Sequence, residues 1–154
     1  MLTDLEKNAI RDHYQNISKS LPNFRPRASQ REMIAAIAQA FSRSLVREEG
    51  GDAPKREGES IAVIEGPTGV GKSLAYLLAG GIMAQTRGKR LIVSSATVAL
   101  QEQLVDRDLP FLVEKSGLEL TFALAKWRGR YLCPYKLYQL TQGNAQQNLL
   151  GFET

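Results

Sequence analysis

The sequence is poor in cysteine, and this scarcity excludes a large class of proteins. Its 154 residues include one cysteine, Cys133, so no disulfide bond can form within the chain. Disulfide-stapled secreted scaffolds are therefore excluded, and a reducing compartment is favoured. The sequence also lacks any run near the ~18–20 apolar residues that a membrane-spanning helix needs. Its first residues have neither the basic start nor the apolar stretch of a secretory signal, so we expect a cytoplasmic protein without a membrane partner.

An excess of charge of one sign is also nearly absent. Twenty Lys and Arg residues against 16 Asp and Glu residues give a net charge of +4, too small to identify a partner. The excess is local, because residues 120–152 contain four basic side chains and no acidic one. The four are Lys126, Arg128, Arg130 and Lys136. They alternate with aromatic rings, a mixture that can hold single-stranded nucleic acid by phosphate contact and stacking. A solvated basic surface with core tyrosines is the alternative.

Two capping boxes predict helices in the first third of the chain. The first, Thr3–Glu6, would open a helix with this apolar face: Leu5, Ile10, Tyr14, Ile17 and Leu21. The second, Ser29–Glu32, would open a helix with a similar face: Met33, Ile34, Ile37, Phe41 and Leu45. Residues 48–60 follow, with three glycines, one proline and seven charged side chains. This composition predicts a mobile surface loop.

The character of the sequence changes at Ile61. The apolar runs 61–64 and 91–93 are typical of buried parallel strands, and the residues between them predict a turn and a helix from Ser73 to about Gln85. Such a βαβ unit, with a further strand at 120–124, predicts an α/β fold. We expect a mostly parallel sheet with helices on both faces and the turn at the carboxyl end of a strand. Short helices are expected near 99–105 and 110–115.

The turn matches the phosphate-binding pattern G-x-x-x-x-G-K-[ST] at every fixed position. Its residues are Gly66, Pro67, Thr68, Gly69, Val70, Gly71, Lys72 and Ser73. Glycines let the backbone N–H groups converge on an anion, and the following helix adds the positive end of its dipole. Lys72 would contact the outer phosphates, and the Ser73 hydroxyl would bind Mg²⁺. The pattern predicts an ATP and magnesium site, with a turn that binds nothing as the alternative.

This pattern identifies a cofactor and no reaction, because kinases, GTPases and helicases share it. Residues 94–104 add hydroxyl and amide groups where the second strand would enter a helix. Ser95, Thr97 and Gln103 could hold the phosphates of a nucleic-acid backbone there. Plain helix capping by Thr97 is the alternative.

Four motifs, in family order, resemble those of superfamily-2 helicases of the XPD-like iron–sulfur group. Glu65–Ser73 is similar to their first motif, and 94–104 is similar to the motif that contacts single-stranded DNA. Residues 126–134 resemble the stretch that holds the first cysteine of their iron–sulfur cluster. Arg27–Gln30 lies where these helicases have a glutamine that recognises adenine. The resemblance extends from about Leu21 to Leu140.

The resemblance implies an incomplete RecA-like ATPase domain and ATP-driven DNA unwinding, with 5′-to-3′ travel and a role in repair. It divides the chain into an N-terminal helix (1–22), part of the first motor domain (23–125) and the start of an iron–sulfur and DNA-contact region (126–154). It also implies roles for further residues. Gln30 would contact the adenine of ATP, Cys133 would be the first of four cluster ligands, and Arg128, Arg130 and Tyr131 would contact single-stranded DNA.

The sequence lacks two things that such a helicase needs. It contains no Asp-Glu pair to position the attacking water, and it has one cysteine where a cluster normally needs four. The simplest interpretation is the N-terminal piece of a longer helicase, unable to hydrolyse ATP by itself. A stand-alone nucleotide-binding or interaction module without hydrolysis is the alternative, followed by a small-molecule kinase.

Overall fold

A computed structural model describes residues 2–43 and 60–141, and the regular structure in these ranges is helical. The α-helices are α1 (Asp4–Ser20), α2 (Ala28–Arg43), α3 (Lys72–Thr86), α4 (Val98–Gln103), α5 (Leu109–Ser116) and α6 (Pro134–Thr141). A π-helical turn, Leu104–Asp108, joins α4 to α5, and a 3₁₀ turn, Arg128–Arg130, precedes α6. Of the predicted loop 48–60, only Ser60 is among the described residues. Leu45 of the predicted second helix lies outside them. None of the described helices has the length and apolarity needed to cross a bilayer.

The predicted capping box of α1 is confirmed. Glu6 N donates to Thr3 Oγ1 over 3.2 Å, and Thr3 N donates to Glu6 Oε2 over 2.8 Å. Ile17 is fully buried, as expected, but Leu5 is 73% exposed and does not belong to the apolar face. Glu6 occupies the buried position in that first turn instead, because it pairs with Arg87 at the end of α3.

Helix α2 begins at Ala28, one residue before the predicted cap Ser29. Its buried face carries Met33, Ile34 and Ala38, and the side chain of Gln30 is buried with them. Met33 and Ile34 of the predicted face are therefore buried, whereas Ile37 and Phe41 are only partly buried. The polar residues Gln30 and Ser42 are also buried, one near each end of the helix.

Helix α3 is the centre of the first unit, which comprises residues 1–122. Its buried residues come from all sides of the helix, and α1, α2 and α5 pack against it. The largest fully buried side chains of α3 are Leu78, Ile82 and Met83. Gly80 lets the side chain of Leu91 approach α3 closely, because a Cβ at residue 80 would lie 2.9 Å from the Cδ atoms of Leu91. The predicted helix at Ser73–Gln85 is thus confirmed to within one residue at each end.

The predicted α/β fold is wrong for the described residues, none of which belongs to a β-strand. The runs 61–64, 91–93 and 120–124 have no regular structure. Ile61 and Val63 are 80% and 94% exposed, whereas a buried parallel strand would cover both. For the described residues, the predictions of a parallel sheet, a βαβ unit and a turn at a strand end are therefore wrong, as is the RecA-like domain that the resemblance implies.

The reason is that an apolar run does not specify a hydrogen-bonding partner. A strand exists only when a neighbouring strand exchanges backbone hydrogen bonds with it, and those partners are distant in sequence. Residues from 61–64 and 91–93 instead line one cavity of about 520 Å³, together with side chains of α2 and α3.

The short helices predicted near 99–105 and 110–115 are present as α4 and α5. The π-turn between them closes with a bond from Leu109 N to Leu104 O. Leu104 and Leu112, on either side of it, are both buried. Helix α5 ends at Gly117, whose φ of 71° is left-handed.

The second unit comprises residues 123–154. Its described part contains the 3₁₀ turn and α6, and none of its described side chains is buried. The backbone N–H of Lys126 donates to the Tyr131 hydroxyl over 2.8 Å, which closes the loop between them.

The buried ion pair between α1 and α3 gives a stability prediction. Arg87 Nε donates to Glu6 Oε1 over 2.7 Å, and Arg87 also donates to Phe41 O, while Glu6 is only 4% exposed. Replacing Arg87 leaves a buried carboxylate without its cationic partner and with only the hydrogen bond from Thr3 N. We therefore expect Arg87→Met to lower the free energy of unfolding by about 2–3 kcal/mol at pH 7. Urea denaturation measures this, with Lys7→Met as the control, because Lys7 pairs with exposed Asp4 and its loss should change stability little.

The same pair sets a pH dependence. The hydrogen bond from Arg87 holds the pKa of Glu6 below its ordinary value of 4.5. The pair therefore stabilises the fold above that ordinary value, and its contribution is lost as the pH falls through the lowered pKa of the folded state. Arg87→Met should accordingly unfold with less pH dependence than the unaltered protein between pH 7 and pH 3. An equal loss of stability in both proteins on acidification would contradict this.

Candidate nucleotide-binding site

The glycine-rich turn, Gly66–Ser73, leads directly into the N-terminus of α3. Gly69 and Gly71 have φ angles of 78° and 88°, in the left-handed region that favours glycine. Gly71 is the N-cap of α3, and no side chain caps the helix there. The first backbone N–H groups of a helix have no partner within it, and they carry the positive end of the helix dipole. The turn therefore presents polar N–H groups and positive potential at one point, the requirement for binding an anion.

Lys72 and Ser73, predicted to bind the phosphates and Mg²⁺, are the first two residues of α3. Lys72 Nζ donates to Gly66 O over 2.8 Å and to Pro67 O over 2.9 Å, so the ammonium group lies across the turn. Ser73 follows it and is partly buried. Val70 is buried and anchors the turn to the core, whereas Pro67 and Thr68 are exposed at its outer edge.

Side chains from the segment before α2 and from α2 itself contact the turn. The guanidinium group of Arg27 donates to Gly69 O. Gln30 Nε2 donates to Gly71 O over 3.2 Å, and Gln30 is 5% exposed. Gln30, predicted to contact adenine, thus lies beside the carbonyl group at the helix N-cap.

Sequence reasoning missed Tyr14. The Tyr14 hydroxyl donates to Gln30 Oε1 over 3.0 Å, although the spacing of residues in α1 indicated only an apolar contact. The available signal was chemical, because a tyrosine on an apolar face needs a partner for its hydroxyl. The ring of Tyr14 packs edge-on against Phe24, with centroids 5.8 Å apart.

The residues predicted to contact a nucleic-acid backbone lie in and beside α4. Thr97 caps α4, because its Oγ1 accepts from Leu100 N over 3.3 Å. Gln103 Nε2 donates to Asp108 over 3.2 Å, and the carbonyl of Ser95 accepts from Gln101. Ser95 and Gln103 line the same cavity as Ser73 of the turn, so the structure brings these three predicted residues together. Thr97 is an exposed cap outside the residues that line this cavity.

The remaining predicted residues belong to the second unit. Arg130, Tyr131 and Cys133 are all exposed, as is Trp127 beside them. The side chain of Arg128 lies outside the described part of the structure. No group of three or more His, Cys, Asp or Glu residues lies close enough to hold a metal in the ranges 2–43 and 60–141. One thiol does not fit an iron–sulfur cluster, which needs four protein ligands.

Comparison with known proteins supports the resemblance drawn from the motifs. No protein-family model matches the sequence. The chain is 43% identical over 152 residues to the ATP-dependent DNA helicase DinG of Salmonella choleraesuis, and 42% identical to that of Escherichia coli K12. Each alignment covers 98% of this chain and 19% of the relative. The DinG helicase of Photobacterium profundum is 38% identical over 153 residues, which is 21% of its length.

The chain therefore spans about a fifth of the length of the curated relatives it matches, and nearly all of it is aligned. The resemblance to a DNA helicase that the motifs indicate is confirmed, and the helicase that the chain resembles is DinG.

The contact between Gln30 and the N-cap of α3 gives a prediction about Gly69 and Gly71, whose φ angles are similar. We expect a side chain to be tolerated less well at Gly71 than at Gly69. A Cβ on Gly71 would overlap Nε2 of Gln30, whereas a Cβ on Gly69 would meet nothing within 4 Å. We expect Gly69→Ala to cost about 1 kcal/mol from the left-handed backbone alone. Gly71→Ala should cost about 1–2 kcal/mol more, because Gln30 must also move.

Urea denaturation of both variants tests this, and Gln30→Ala supplies the second change of a double-mutant cycle. In a Gln30→Ala background the extra cost of Gly71→Ala should disappear. Equal costs for the two glycine substitutions in the unaltered background would contradict the predicted contact.

Proposed function

We propose that this chain supplies ATP-binding and DNA-contacting residues to an ATP-dependent DNA helicase that acts in DNA repair. The observation that carries the proposal is the turn before α3, in which Gly69 and Gly71 have left-handed φ angles and no side chain caps the helix. Lys72 and Ser73 are the first residues of that helix. The occurrence of this turn in a chain 43% identical to DinG favours a helicase over the kinases and GTPases that share the sequence pattern.

The backbone of the turn, Lys72 and Ser73 have distinct roles in binding the phosphates. The backbone N–H groups of the turn and of the first turn of α3 bind the phosphate oxygens. Lys72 exchanges its two carbonyl partners, Gly66 O and Pro67 O, for the outer phosphates, which are stronger acceptors because they are charged. The Ser73 hydroxyl would hold a Mg²⁺ ion, which would neutralise charge on the phosphates.

DNA contact is assigned to two sets of residues. Ser95 and Gln103 share a cavity with Ser73, which would put a DNA phosphate and the nucleotide site beside one another. Arg130 and Tyr131 are exposed in the second unit, where basic and aromatic side chains alternate, and they would bind single-stranded DNA by charge and stacking. The resemblance implies travel from 5′ to 3′ along that strand.

Hydrolysis and the cluster require residues that this sequence lacks. Without an Asp-Glu pair, the chain by itself binds ATP and does not turn it over. Cys133 would be one ligand of an iron–sulfur cluster only in a longer protein that supplies the other three. A nucleotide-binding module without hydrolysis is the competing proposal, and it shares the same turn.

Nucleotide binding is tested by titrating ADP and ATP calorimetrically into the unaltered chain and into Lys72→Ala. Removing the ammonium group should weaken binding at least tenfold, because a charge-assisted contact to the phosphates is lost. Lys89→Ala is the control, since Lys89 is exposed beyond the other end of α3 and should leave the affinity unchanged. Equal affinities for the unaltered chain and Lys72→Ala would refute the proposed site.

DNA binding is tested by its salt dependence. If the four cations between residues 126 and 136 all contact phosphates, the logarithm of the affinity for single-stranded DNA should fall with a slope near −3 against the logarithm of salt concentration, from ~0.7 per contact. Arg130→Ala should reduce the slope by about 0.7. Lys19→Ala, at the exposed end of α1, should leave it unaltered. A slope that does not change in Arg130→Ala would exclude this residue from the interface.

A further inference from the structure

Helix α1 reaches the glycine-rich turn through two polar side chains. The Tyr14 hydroxyl donates to Gln30 Oε1 over 3.0 Å, and Gln30 Nε2 donates to Gly71 O over 3.2 Å. Gln30 is buried, so little of it contacts solvent. Both ends of its amide are held by these two protein groups. The three residues form one continuous chain of hydrogen bonds from the middle of α1 to the N-cap of α3.

The direction of each bond in this chain is fixed by chemistry. The carbonyl of Gly71 can only accept, so the amide atom facing it must be Nε2. Oε1 then faces Tyr14, whose hydroxyl must donate. Burial raises the pKa of Tyr14, so the hydroxyl keeps its proton throughout the neutral range. Without that hydroxyl, the Gly71 carbonyl alone would select the orientation of the amide, and Oε1 would lose the donor that holds it.

The orientation of the Gly71 carbonyl determines the direction of the Lys72 N–H. It accepts from Ala75 N over 3.1 Å as well as from Gln30, so two donors hold it. It shares a planar trans peptide unit with the N–H of Lys72, and the two groups point in opposite directions. Holding the carbonyl toward Gln30 and α3 therefore aims the Lys72 N–H out of the helix N-terminus, toward the position that an anion would occupy.

We propose that Tyr14 is a positioning residue of the nucleotide site, which acts through Gln30 to hold the Gly71–Lys72 peptide in the orientation that binds phosphate. This rests on the proposed function of the turn as a site for ATP. Gln30 then serves the phosphates of the nucleotide, whereas the family resemblance implies contact with its adenine.

The test compares Tyr14→Phe with the unaltered chain, using ADP, GDP and inorganic tripolyphosphate as probes. The variant keeps the ring that packs on Phe24 and removes one hydrogen bond, so we expect all three affinities to fall by the same factor, about three- to tenfold. Ile10→Val is the matched control. Ile10 packs against the core from the same helix, so this variant should lose stability without losing affinity for any probe.

A second measurement does not need a nucleotide. The backbone amide resonances of Gly71 and Lys72 in the nucleotide-free chain should shift in Tyr14→Phe and stay in place in Ile10→Val. Shifted resonances with no binding of any probe to the unaltered chain would support the hydrogen-bond chain and refute the proposed ATP site.

Two results would overturn the inference while leaving the ATP site intact. In the first, Tyr14→Phe binds all three probes as the unaltered chain does, while Lys72→Ala does not. In the second, Tyr14→Phe loses affinity for ADP alone and keeps it for GDP and tripolyphosphate, which would assign Gln30 to the adenine base.

Discussion

The burial of α3 is the constraint on which the rest of this molecule depends. The helix is covered by α1, α2 and α5, and its side chains Leu78, Ile82 and Met83 are almost fully buried. Removing side chains of this size from water contributes about 1.5–3 kcal/mol each. The residue that begins this helix is Lys72, so the same burial that holds the first unit together fixes the position of the proposed phosphate site. A loop can bind an anion with a defined geometry only when the helix behind it does not move.

Polar contacts at both ends of α3 add to the apolar packing that holds this helix in place. Arg87, at one end of α3, is paired with Glu6, and Gly71, at the other end, accepts from Gln30. Both contacts come from the helices that cover α3. A buried polar side chain is costly unless it is paired. Each of these contacts therefore penalises any sliding of α1 or α2 along α3, which apolar packing alone would resist less strongly.

Features with local causes were predictable from the sequence, and features with distant causes were not. The capping box of α1, the extent of α3 and the glycine-rich turn all depend on residues within a few positions of one another. The strand at 61–64 was predicted wrongly, since a strand needs a partner that an apolar run does not identify. The burial of Glu6 in place of Leu5 depends on Arg87, 81 residues away. The contact of Gln30 with Gly71 spans 41 residues, so the motif indicated a nucleotide site without indicating which of its atoms Gln30 would touch.

The π-turn between α4 and α5 has a consequence for how the length of this chain can change. Leu104 and Leu112 are eight positions apart and both buried, whereas two turns of an ordinary α-helix take about seven residues. The wider turn absorbs the additional residue and keeps both leucines directed at the core. Deleting one exposed residue, such as Asp106, would leave a spacing of seven, which an uninterrupted α-helix satisfies equally well. The segment 104–108 is therefore a place where the deletion of a single residue changes the local helix type and spares the packing on either side.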